Sequence, residues 1–301
     1  MNVKLLTALV LAAVVTGCDT GNREVKPTFG PQAAAGSTTA PPAGGGTTTP
    51  PAGGTVGTFS NGPDLNSARG QHTATLLDDG RVLVTGGTDG QGVIADSEVF
   101  DPVTNTWEIV RNLVTNQNDG LMMDPTGAFP TVRQLHTATK LQSGAVLIAG
   151  GVGVERLDAQ GQPMFEAMTT AFLFDATSNT FTATGSLAQG RAWHLAAAVG
   201  NTAVLAGGLD ANLLGTDSAD AFDPAAGTFA TVPMRGHHTW GGIVTVNNEA
   251  LVIGGAEITA QQGPNGQPQM ALAGFPSPRT ATYQAGGTAF APSGNNLSDV
   301  I

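Results

Sequence analysis

Cysteine, tyrosine and lysine are almost missing from this sequence: there is one cysteine, Cys18, one tyrosine, Tyr283, and the only lysines are Lys4, Lys26 and Lys140. A single thiol excludes an intrachain disulfide and any cysteine-based metal cluster. Charged residues make up only 12% of the chain, too few for a fold built from surface helices with a charged outer face. The net charge of -11 comes with no clustered cations. Reading a phosphate backbone needs such clusters, so nucleic acid is not an expected partner. There is no Gly-x-Ser-x-Gly elbow, no His-Glu-x-x-His and no phosphate-binding loop. The chain is therefore read as a non-enzyme, with no catalytic residue, no metal and no cofactor assigned. Loop acids such as Glu155, Asp158 and Glu166 are kept as candidate binding residues, since converging carboxylates are also what glycoside hydrolysis uses. Asp217 and Asp220 give only a weak hint of a calcium site, because the spaced oxygen ligands of a known loop are absent.

The N-terminus carries Lys4, an apolar run from Leu5 to Val15, and the small-residue ending Val15-Thr16-Gly17-Cys18. The run is shorter than the roughly 20 residues that span a bilayer. It reads as an export signal over residues 1–17. The last four residues resemble the bacterial lipobox, which implies that Cys18 is acylated and becomes the mature N-terminus. Buried acyl chains, at about 0.8 kcal/mol per methylene, hold a protein on a membrane without a spanning helix. The expected address is the bacterial cell envelope, lipid-anchored, with the leaflet open. Residues 18–56 are rich in Gly, Thr, Pro and Ala, too poor in apolar surface to offset ordering entropy. They read as a disordered tether with a reach on the order of 35 Å.

Glycine is abundant, with 42 residues, and from Arg69 onward it falls in a repeating pattern. Arg69 and His72, Arg133 and His136, Arg191 and His194, and Arg235 and His238 open four units. Each is followed by an apolar run, a short turn, a second apolar run and a glycine pair: Gly86-Gly87, Gly150-Gly151, Gly207-Gly208 and Gly254-Gly255. Paired aromatics close each unit: Phe100 and Trp107, Phe174 and Phe181, Phe222 and Phe229, Tyr283 and Phe290. Short runs of Val, Leu, Thr and Phe between Gly and Pro signals predict four strands, a to d, per unit. The repeated Arg and His are read as structural, because a guanidinium can bond several backbone carbonyls at once.

This pattern resembles the kelch repeat over about Arg69 to Phe290, and in particular bacterial kelch-repeat lipoproteins. The resemblance to the propeller of galactose oxidase is more distant, and Tyr283 alone cannot supply the tyrosine and cysteine chemistry of that copper site. The resemblance implies an all-β, kelch-like β-propeller over 57–301 with about four four-stranded blades. Arg-to-Arg intervals of 64, 58 and 44 residues imply loop insertions. Thr58-Phe59 looks like a surplus strand, and Asp124 to Phe129 like a degenerate turn of a further blade. Either a four-bladed ring closes with one strand left over, or the ring is open and needs a partner.

The a-b turns are short in every unit, whereas the insertions fall at Val152 to Thr170, Ala256 to Pro278 and Ile109 to Thr131. All lie on the face carrying the b-c and d-a connections, the expected binding surface. Trp193 and Trp240, near the start or middle of strand a and so close to the central channel, are the candidate residues for stacking on a sugar. His237 falls outside the repeat register. The expected role is a binding or scaffolding module for an envelope protein or polysaccharide, the alternative being a carbohydrate-binding or carbohydrate-active protein.

Overall fold

The computed structural model describes residues 61–110, 131–160, 162–234, 236–262, 268–274 and 280–292. Cys18, the tether, Thr58-Phe59, Asp124 to Phe129 and Arg235 lie outside them. Pro63–Ile301 forms one compact unit, and its described regular elements are all strands. Blade 1 consists of β1 (Thr73–Leu76), β2 (Val82–Thr85), β3 (Ser97–Asp101) and β4 (Thr106–Ile109). Blade 2 consists of β6 (Thr137–Lys140), β7 (Val146–Ala149), β10 (Ala171–Asp175) and β11 (Thr180–Ala183). Blade 3 runs through β12 (Leu195–Val199), β13 (Thr202–Ala206), β14 (Ser218–Asp223) and β15 (Thr228–Pro233). Blade 4 has β16 (Gly242–Val246), β17 (Glu249–Ile253), β20 (Thr280–Gln284) and the short β21 (Ala291–Pro292). Each is an antiparallel meander from strand a to strand d. The inner strands pack in series, β1 on β6, β6 on β12 and β12 on β16.

Turn chemistry fixes the register of each meander. Asn247 and Asn248, with φ of 50° and 64°, make the a-b hairpin of blade 4, where a two-residue loop needs left-handed backbone at both central positions. In the c-d turns the Oδ1 of Asp101, Asp175 and Asp223 accepts the N–H two residues on, each at 2.8 Å. An Asx turn of this kind starts the reversal, and Asn105, Asn179 and Gly227 complete it with positive φ.

The core lies between blades rather than within one. The aromatic pairs have ring centroids 5.1, 5.2, 4.8 and 5.3 Å apart. In blades 2 to 4 the pair packs back onto the preceding blade: Phe174 and Phe181 join Leu83 and Val99, Phe222 joins Leu147 and Ala149, and Tyr283 and Phe290 join Val204 and Ala219.

The repeated arginines stitch strand ends together. Nη1 of Arg69 donates to Gly86 O and Asp96 O, that of Arg133 to Gly150 O and Thr170 O, and that of Arg191 to Gly207 O and Ser218 O. A second partner stands on strand c, two residues before the first aromatic. In blade 1 it is Glu98, 2.7 Å from Arg69 Nη2; in blade 3 it is Asp220, 2.7 Å from Arg191 Nη2. In blade 2 the position holds Phe172, with the Arg133 guanidinium 5.1 Å from its ring centroid. Asp220 is wholly buried and also accepts from Thr231, so its oxygens are engaged as a structural counter-ion to Arg191.

Blade 4 departs from the register expected of Arg235 and His238. The bridge Thr239↔Ala256 is the counterpart of Gly70↔Thr88 and Ala192↔Leu209, and Gly242 pairs Ile253 as Thr73 pairs Thr85. His238 therefore occupies the arginine position, its Nδ1 2.7 Å from Gly254 O, and Gly241 occupies the histidine position. The spacing Arg-x-x-His at 235–238 is real in sequence but sits three residues early.

The histidines join neighbouring blades. His136 Nε2 lies 2.9 Å from the hydroxyls of both Thr73 and Thr85, and His194 Nε2 2.8 Å from that of Thr137. The second glycine of the first two pairs adds a backbone bond, from Gly87 N–H to Arg133 O at 2.9 Å and from Gly151 N–H to Arg191 O at 2.8 Å. Burial, then the charge of Arg191, lower the His194 pKa to about 3. Burial and the Arg133 charge also depress His136 well below its ordinary value. A depressed folded-state pKa gives stability that is complete above the unfolded value near 6.5 and is lost as pH falls toward the folded value. Between pH 6.5 and 3, His194 alone is expected to remove about 1.4 kcal/mol per pH unit. Urea midpoints at pH 7.5 and 5.0 check this: the gap between them should narrow in His194→Gln, and an unchanged gap overturns the assignment.

Candidate functional site

The b-c insertions fold as β-hairpins. In blade 2, β8 (Val152–Leu157) and β9 (Pro163–Ala167) join β5 (Val132–Gln134) in a three-stranded sheet ordered β5-β8-β9. In blade 4, β18 (Glu257–Gln262) pairs with β19 (Pro268–Gly274). The d-a insertion at 111–130 lies outside the described residues. Blade 3 is tied to the blade 4 hairpin by a bond from Gly215 N–H to Ile258 O at 2.8 Å.

Trp193 and Trp240 come together at the base of that hairpin. Their centroids are 6.3 Å apart in an edge-on arrangement at 83°. Both are half-buried against Leu209, Ala256 and Ile258. Each precedes its inner strand by two residues rather than lying inside it. Both have left-handed backbone, φ 52° and 59°, which costs a residue with a Cβ on the order of 1 kcal/mol. Gln71 and Leu135 hold the same position in blades 1 and 2, with φ of 56° and 59°. Leu135 N–H bonds Gln71 O at 3.3 Å and Trp193 N–H bonds Leu135 O at 3.2 Å. Gln71, Leu135 and Trp193 thus form a backbone-linked row along the inner strands at one end of the blades, which Trp240 joins through its ring contact with Trp193. Sequence reading missed Gln71 and Leu135; the signal was their place immediately before the histidine position.

The acidic candidates are not gathered with the tryptophans in one described site. Asp158 caps the turn of hairpin β8–β9, where its Oδ1 accepts the N–H groups of Gln160 and Gln162 at 2.9 and 2.8 Å. Glu166 is half-buried on β9, and Glu155 is on β8. His237 packs beside Gly215. A cavity of about 590 Å³ opens on the opposite face, at the a-b turns of blades 1 and 2 and the c-d turn of blade 2, lined by Asp78, Asp79, Ser143, Asp175 and Thr177. Its carboxylates are already engaged. Asp78 pairs with Lys140 at 2.6 Å, Asp79 with Arg81 at 2.8 Å, and Asp175 caps its own turn.

Residues 69–114 match the model of the Kelch motif. A solved structure titled "Structure of YjhT" superposes over 76% of this chain and 71% of its own, with a TM-score of 0.54 and 16% identity. The fold is a kelch-like β-propeller. A comparison with curated proteins finds no match. In this kelch-like arrangement the matched segment spans blade 1 from Arg69 through β4, the part of the repeat in which the Arg, His, double-glycine and aromatic signals are all present.

Proposed function

We propose that the chain is a non-catalytic binding or scaffolding module of a bacterial cell envelope, held to a membrane through Cys18 and a tether. Its ligand rests on the face of the b-c and d-a connections. The kelch-like propeller supports binding or scaffolding in general terms, and the observation that favours this face is the Trp193–Trp240 pair. Two large aromatic rings, half exposed beside the base of an inserted hairpin, offer rigid contact area at low entropic cost, as interface anchors do.

In-cell crosslinking of the full chain, followed by recovery from the membrane fraction, tests the reading. Trp193→Ala and Trp240→Ala are each expected to weaken the captured complex at least tenfold, about 1.4 kcal/mol. Unchanged capture by both variants would remove this face from the proposal. The same fractionation tests the anchor, since wild-type chain found wholly in the soluble fraction overturns lipid attachment. The second reading, carbohydrate binding, rests on the same pair, because apolar sugar faces stack on indole rings. Retention on purified envelope polysaccharide that is lost in both variants favours it, and co-purification of one defined protein favours scaffolding.

A further inference from the structure

The described blades end in two faces that match each other. Every junction inside the chain is built in one way: the forward apolar face of one blade receives the backward face, with its aromatic pair, of the next. The forward face is supplied by strands a and b, with strand c residues such as Val99 and Ala219 beside them. At its strand a position Leu77, Leu141 and Val199 are 2%, 3% and 0% exposed. The counterpart in blade 4 is Val246, which is 49% exposed, and Val244 beside it is 46% exposed. On strand b, Leu83, Leu147 and Val204 are almost fully buried, while their counterpart Leu251 is only half-buried. Ile253 is likewise half-buried, where Thr85, Ala149 and Ala206 are fully covered. Blade 4 thus carries the apolar surface of a junction with nothing described upon it.

The backward face is open at the other end of the series. Phe174, Phe222 and Tyr283 are 0–2% exposed, whereas their counterpart Phe100 and its neighbour Trp107 are only half-buried. The segment at Pro63–Ser67 covers the outer part of this face, with Trp107 Nε1 donating to Pro63 O at 3.1 Å and Asn66 and Ser67 donating to Glu98. Strand a of this face stays open, with Ala74 exposed and Leu76 62% exposed, whereas Val84 on β2 is 3% exposed. His72, which in blades 2 and 3 is the histidine that reaches back to the preceding blade, is exposed as well. No packing comparable to that of the other inner strands joins β16 to β1 among the described residues.

We propose that the forward face of blade 4 docks on the backward face of blade 1 of a second copy of this chain. The second copy is the occupant that fits, because the complementary half of the junction is present in the chain and, among the described residues, is covered only on its outer part by Pro63–Ser67. Each copy supplies one of each face, so two head-to-tail contacts close a two-fold pair and leave no half-junction open. The junction is the one already made three times internally, with aliphatic side chains of strands a and b against an aromatic pair. A contact of this kind is independent of the ligand face.

Sedimentation velocity on the full chain under reducing conditions, over a hundredfold range of concentration, is the test. A monomer–dimer equilibrium is expected for the wild type. Val246→Asp and Leu76→Asp are each expected to weaken it at least a hundredfold while keeping the wild-type circular dichroism. Because one variant spoils only the forward face and the other only the backward face, mixing them in equal amounts leaves one good contact per pair and is expected to restore dimer. A wild-type monomer at every concentration overturns the proposal. So does a dimer that survives Leu76→Asp, which would mean blade 4 pairing with itself.

Discussion

Replacing Arg191 with methionine is expected to lower the unfolding free energy by about 3–5 kcal/mol, the usual cost of breaking a buried ion pair from one side. The Arg191 and Asp220 side chains are 1% and 0% exposed, and their charged atoms lie 2.7 Å apart. Truncation leaves Asp220 charged and stripped of water, Gly207 O loses the Arg191 donor, and Ser218 O keeps only the Gly207 N–H at 3.1 Å. A domain has about 5–15 kcal/mol in all, so the variant should unfold at far lower urea. The double variant Arg191→Met with Asp220→Leu separates the two causes. Removing the stranded charge is expected to return more than half of the loss, the remainder belonging to the guanidinium bonds lost at Gly207 O and Ser218 O. A double variant no more stable than the single one would show that the carboxylate is not the main cost.

The second large effect is expected at the first glycine of a pair. A Cβ on Gly86 would lie 2.4 Å from the carbonyl oxygen of Arg133 and 2.8 Å from Cε1 of His136, and the residue has φ of 61°. Alanine there combines left-handed strain with a clash against the next blade, together about 3 kcal/mol or more. Gly80 supplies the control, since it has φ of 89° and nothing within 4 Å of a built Cβ. Gly80→Ala should therefore show only the conformational cost, about 1 kcal/mol. Equal urea midpoints for the two variants would mean that close approach between blades contributes nothing.

Most of the architecture was legible because the repeat displays its own constraints. A glycine pair marks where a carbonyl of the next blade touches the chain, an Asp at the end of strand c marks the turn, and two aromatics mark the face turned to the preceding blade. The register of blade 4 was not legible. Arg235 and His238 reproduce the expected spacing, and only the pairing of Gly242 with Ile253 shows that His238 has taken the arginine's place. The counter-ions were also missed, although their signal was present. Glu98 and Asp220 each stand two residues before the first aromatic, and in a single sequence an acid on strand c looks like any solvent-facing residue of an alternating strand. The tryptophan pair was legible as two residues but not as a pair. Trp193 and Trp240 lie in different blades, and only the packing of β12 against β16 brings them together.

The imidazole contacts differ from one junction to the next. Between blades 1 and 2 a neutral ring is held by two hydroxyls, and between blades 2 and 3 by one. Between blades 3 and 4 the position is a glycine, and Leu195 and Ala206 occupy the places where hydroxyls would stand. Peeling blade 2 from blade 1 strands a buried imidazole and two threonines, whereas peeling blade 4 from blade 3 strands none of these. The junction of blades 3 and 4 accordingly rests on apolar packing, on the Trp193–Trp240 contact and on backbone bonds such as Gly215 N–H to Ile258 O, with no buried imidazole between the blades.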